Sequence, residues 1–176
     1  MILGYLLIFC RMALGLLFFF AFLGKVPNLP PFERTLAGLG ILPERFNRLA
    51  AFLFLISELT VILLLALGDQ LLGPGLALAA MLLLFSSMAL GSALARGLEF
   101  SDIGLGALPR PLSYYDLWRN AGFIGCAVAG WAAFILTGQS QMNLSLAEGV
   151  WVGLCAAVFV AAWTQLGEIA RWLRLA

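Results

Sequence analysis

Five apolar runs, at residues 2–23, 49–67, 76–95, 118–137 and 150–166, divide the chain, and Pro, Gly and charged residues collect between them. A hydrocarbon core of about 30 Å takes about 20 residues of helix, so each run predicts a transmembrane helix. The expected fold is all-α and integral to the membrane. It is a single bundle of about five transmembrane helices that uses residues 1–176 as one domain. The first run lacks a basic leader and is interrupted by Arg11, so it reads as a retained span and not a cleaved signal.

The stretch VPNLPPFERTLAGLGILPERFNR follows the first run. Pro27, Pro30 and Pro31 stop a helix, and Pro43 suits the first turn of the next. Between them, residues 32–39 predict a short interfacial helix in the first cytoplasmic loop. Glu33 and Arg34 would face water, and Phe32, Leu36 and Leu39 would lie in lipid. In the third loop, Tyr114, Tyr115 and Trp118 suit a headgroup-level belt, joined as interface anchors by Lys25, Arg119 and Asn120.

Composition settles which solvent the helices meet. The chain is 63% hydrophobic and 11% charged, so a lipid bilayer is its first partner. Nine basic residues (Lys25, Arg34, Arg45, Arg48, Arg96, Arg110, Arg119, Arg171 and Arg174) fall in alternate inter-span regions with their flanks or in the C-terminal tail. The positive-inside bias then predicts an N-terminus outside and a C-terminus inside, in a multi-pass bacterial inner-membrane protein. A net charge of +1 without basic runs gives nucleic acid nothing to bind.

The absence of histidine removes histidine-ligated haem, zinc and copper, and the histidine general base. No metal or other cofactor is expected. The three cysteines, Cys10, Cys126 and Cys155, are far apart in sequence and form no C-x-C or C-x-x-C pair. They read as small residues of helix contacts. Gly122, Cys126 and Gly130 form one ladder on the fourth run, beside a second of Ala121, Gly125 and Ala129. Ser87, Gly91 and Ala95 form another on the third. Such ladders let helices approach closely.

Arg11 and Glu58 are the charges deep within spans, away from their ends. A charge at mid-membrane costs about 2.5–3.5 kcal/mol on insertion scales and normally finds a partner. Along their helices Arg11 stands roughly 20 Å, and Glu58 roughly 14 Å, above the cytoplasmic end. A long guanidinium closes that gap, so an Arg11–Glu58 ion pair is expected. It would either fix helix register or floor a polar site for a quinone or another headgroup.

An arginine early in the first span, FFFAFLGKVPNLPPF at its end, GILPERF before the second, SEL inside it, ARG closing the third and WRN opening the fourth recur in one order. The pattern resembles the MauE family and the related DoxX membrane proteins, with Arg11, Lys25, Glu58, Arg119 and Asn120 on its positions. The resemblance implies a small inner-membrane bundle. MauE is associated with maturation of a disulfide-rich periplasmic amine dehydrogenase subunit, and DoxX relatives with quinone-linked redox systems. Many MauE-like chains carry a C-x-C-type motif after the third span, where this one reads LEFSDIGLGAL. A dithiol relay needs a resolving thiol. The expected function is therefore a non-catalytic membrane subunit or assembly factor that associates with another membrane protein. The alternative is a quinone-linked redox accessory protein.

Overall fold

A computed structural model describes residues 2–39, 43–97, 114–137 and 145–165, all in helices, turns or short connections. The sulfur-free stretch after the third span, and Arg110, Arg171 and Arg174, lie outside the described residues. The helices are α1 (Ile2–Lys25), α2 (Leu29–Leu39), α3 (Glu44–Leu67), α4 (Leu72–Ala95), α5 (Tyr114–Leu136) and α6 (Leu146–Thr164). All but α2 are long and apolar enough to cross a membrane, with α2 continuing the helical run of α1.

Short 3-10 turns make two of the joins. Val26–Asn28 carries α1 into α2, with Pro27 in its first turn, where no helical N–H is lost. Asp69–Leu71 carries α3 into α4. There α3 ends on Gly68 at φ 74°, a conformation that favours glycine.

The elements run past the apolar runs. Helix α4 starts at Leu72, because Pro74 sits in a first turn and costs no hydrogen bond. Gly73 and Gly75, which look like breakers, serve as contacts. A Cβ on Gly73 would lie 2.7 Å from the Phe134 ring of α5, and one on Gly75 3.0 Å from Leu64 of α3. Helix α6 opens on a capping box, in which Ser145 N–H donates to Glu148 Oε2 at 2.9 Å and Glu148 N–H to Ser145 Oγ at 3.4 Å. Glu148 also accepts from the Tyr5 hydroxyl at 2.7 Å, tying the first turns of α1 and α6 together.

Helix α1 is central, packing against α3, α5 and α6, while α4 packs against α3 and α5. Leu14, Leu17, Val61, Leu65, Leu76, Leu83 and Phe123 fill the core. Phe159 of α6 meets Phe9 at 5.4 Å and Phe123 at 5.9 Å, and stacks on Trp163 at 5.6 Å. Helix α6 is the outer member. Of its most apolar 18 residues, 11% are buried, against 28–33% in the other spans.

Candidate functional site: a polar cavity inside the bundle

The 3-10 turn after α1 leads directly into α2, which packs on α3. This places Phe32 beside the Lys25 side chain, where it is 6% exposed. The expected lipid-facing position of Phe32 is thereby corrected. Its ring lies 5.7 Å from that of Phe54, and the Lys25 ammonium sits 4.8 Å from Phe54 and 5.6 Å from Phe32. A cation held over ring faces away from water gains about 2 kcal/mol or more.

Lys25 donates to Glu58 Oε1, and both side chains are buried. The expected Arg11–Glu58 pair is not formed. Arg11 reaches the far end of α3, donating from Nε to the Leu65 carbonyl at 2.6 Å and from Nη2 to that of Ala66 at 2.8 Å. Those carbonyls belong to the last helical turn, which has no intrahelical donor, so the guanidinium completes the helix end and suits its partial negative charge. Helix α3 begins five residues before its apolar run, at Glu44. Its lower half lies beside α2, which brings Glu58 to the last turn of α1.

Helix α5 supplies the rest. Asp116, Arg119 and Asn120 are buried, with Arg119 Nη1 3.3 Å from Asp116 Oδ1. Lys25, Arg119 and Asn120, expected as interface anchors, are thus interior groups. Tyr114 and Trp118 are exposed on the opposite face, and Tyr115 is half-buried. Hydropathy treats every polar residue near a span end as wet. It misses that Phe32 of α2 and one face of the first turns of α5 are covered by neighbours.

Lys25, Glu58, Arg119 and Asn120 line one cavity of about 70 Å³, walled by Phe18, Phe32, Phe54 and leucines of α1 and α4. At roughly 10–15 Å³ of such space per water, it holds on the order of five waters. Phe85, half exposed, borders it. Charge is balanced, Lys25 against Glu58 and Arg119 against Asp116, so a neutral guest suits the site better than an ion. Glu58 Oε2 is buried without a hydrogen-bond partner among the described residues. Among those residues no three His, Cys, Asp or Glu gather as a metal would require.

The glycine ladders divide. Gly122 lies against Trp163 of α6, whose indole occupies the place of a Cβ and donates to the Arg119 carbonyl at 3.1 Å. Gly130 touches Cys10 and Leu76. A Cβ on Gly125 or Gly91 would meet nothing within 4 Å, Ser87 bonds back to its own helix at Leu83, and Ala129 is half-buried. The cysteines are not all single. Cys10 of α1 and Cys126 of α5 are neighbours across the α1–α5 contact, while Cys155 is exposed on α6.

The fold and this interior define a multi-pass helical membrane protein with a charge-balanced polar cavity among four of its spans and α2. Comparison with known proteins narrows the class. The chain belongs to the MauE family: the family described as methylamine utilisation protein MauE matches it over residues 3–133. No curated protein and no solved structure matches. The matched region contains every cavity residue and stops before α6.

Proposed function

We propose that this chain is a non-catalytic membrane subunit of methylamine utilisation, acting in assembly or maturation by associating with another protein of the bacterial inner membrane. One observation carries the reading. Helix α6 stands outside the matched region, packs chiefly on α1, and turns Val150, Trp151, Leu154 and Val158 outward. Close packing rather than a hydrophobic drive holds helices together in lipid, so an outer helix with its own polar and aromatic ties to the bundle can present a fixed face to a partner. The test is a photo-crosslinking amino acid at Val158 in cells growing on methylamine. A discrete adduct with a second membrane protein is expected. Adducts with lipid or with this chain alone would remove the reading.

The cavity supports a second reading, a quinone-linked accessory role. Its neutral charge balance, aromatic walls and half-exposed Phe85 border suit a lipid-soluble ring with carbonyl oxygens, which Asn120 can serve as donor. An azidoquinone should then label α3 or α4, and labelling should fall at least tenfold in Asn120→Leu. Equal labelling of both proteins would count against it.

A further inference from the structure

Two cysteines separated by almost the whole length of the matched region come together at the α1–α5 contact. Cys10 is 1% exposed, and its side chain neighbours that of Cys126, which is half-buried. The backbones are close for a reason that does not involve sulfur. Gly130 lies one helical turn beyond Cys126 on the same face, and a Cβ there would be only 3.0 Å from the Cβ of Cys10. A small residue at that place lets α1 settle onto α5 and sets the two thiols on facing helices at short range. Both are free in the structure.

We infer that Cys10 and Cys126 are an intramembrane dithiol that closes to an α1–α5 disulfide when a lipid-soluble quinone takes up its hydrogen. In the step, two S–H bonds break and one S–S bond forms. Two electrons and two protons pass to the quinone, which becomes the hydroquinone. Each side of the equation is neutral, which matters where the surroundings are hydrocarbon. Thiol–disulfide exchange with a water-soluble partner needs a thiolate, and a charge is costly in such surroundings. A quinone dissolved in the bilayer needs no charge in the balance and approaches from the lipid side, where Cys126 is partly exposed. Cys155, alone on the outer face of α6, has no partner thiol among the described residues and stays reduced.

The test uses the full chain in membrane vesicles, reduced and then exposed to tetramethylbenzoquinone, whose ring has no free position for thiol addition. After denaturation, a maleimide polymer counts the free thiols by gel shift. The wild type, with three cysteines, should pass from three labels to one. Cys155→Ser should pass from two labels to none, and Cys10→Ser and Cys126→Ser should each keep both. Mass spectrometry should show the Cys10 and Cys126 peptides joined. Three labels retained by the wild type and two by Cys155→Ser, or a linkage that includes Cys155, would overturn the inference. The wild type and Cys155→Ser decide it without disturbing the pair, so a folding defect in either serine variant of the pair does not blunt the test.

Discussion

The ammonium of Lys25, on the last residue of α1, is held by the carboxylate of Glu58, from the middle of α3, beneath a lid formed by Phe32. Both side chains are buried, and each is the other's ion-pair partner. Lys25→Met and Glu58→Gln should each cost about 3–5 kcal/mol, the usual effect of removing one member of a buried pair. The double variant should lose less than the sum, since neither stranded charge remains. Denaturant titration in detergent measures this, and strictly additive losses would sink the coupling.

Arg11 has a separate duty. Its two bonds to the Leu65 and Ala66 carbonyls finish α3, and a hydrogen bond to a charged group is worth about 1.5–3 kcal/mol. Arg11→Met should lower stability by about that amount. Combined with Glu58→Gln, the losses should add within about 0.5 kcal/mol, because the two sites share no partner. A large interaction energy would restore the Arg11–Glu58 pairing that the sequence suggests.

Gly68 should be sensitive for two reasons at once. It lies at φ 74°, and a Cβ there would come 2.8 Å from Arg11 Nη2. Gly68→Ala should therefore lower the unfolding temperature by several degrees, since strained backbone of this kind costs about 1–3 kcal/mol. An unchanged melting curve would show that this turn relaxes freely.

Two glycines a turn apart should part company. Gly122→Ala forces the Trp163 indole away and breaks its bond to the Arg119 carbonyl, whereas Gly125→Ala meets nothing within 4 Å. The first should shift tryptophan emission and cost about 1–3 kcal/mol, as overpacking does. The second should leave both unchanged. Equal effects would contradict the α5–α6 contact.

Orientation is open to a simple check. Reporters fused after Gln70 and Thr137 should be active outside the cell, and one after Gly97 inside. This follows from the basic residues gathered in alternate connections. The reverse pattern would invert the whole assignment.

Hydropathy made the five spans legible because it reports the solvent of a segment, and the helices differ from the runs chiefly at their ends. It does not report how far one helix is displaced along another. That displacement decides whether Lys25 or Arg11 meets Glu58, and it depends on α2 covering the lower half of α3. The family pattern carried more of the site than the local residue chemistry did. Lys25, Glu58, Arg119 and Asn120 were visible as matched positions, yet three of them looked like surface anchors until packing closed over them. Cys10 and Cys126 left no trace in spacing, since only the antiparallel pairing of α1 and α5 makes them neighbours.

The two polar ties of α1 to α3 stand at opposite ends of their contact, one at Arg11 and one at Lys25. A slide of either helix by a single residue would break both, so piston-like motion between them is forbidden and the pair behaves as one rigid wall. Any change in the width of the cavity must then involve α2, α4 or α5, the other elements that line it. A guest would therefore be admitted by displacing the helices that carry Phe32, Phe85 or Asn120, and not by sliding α1 along α3.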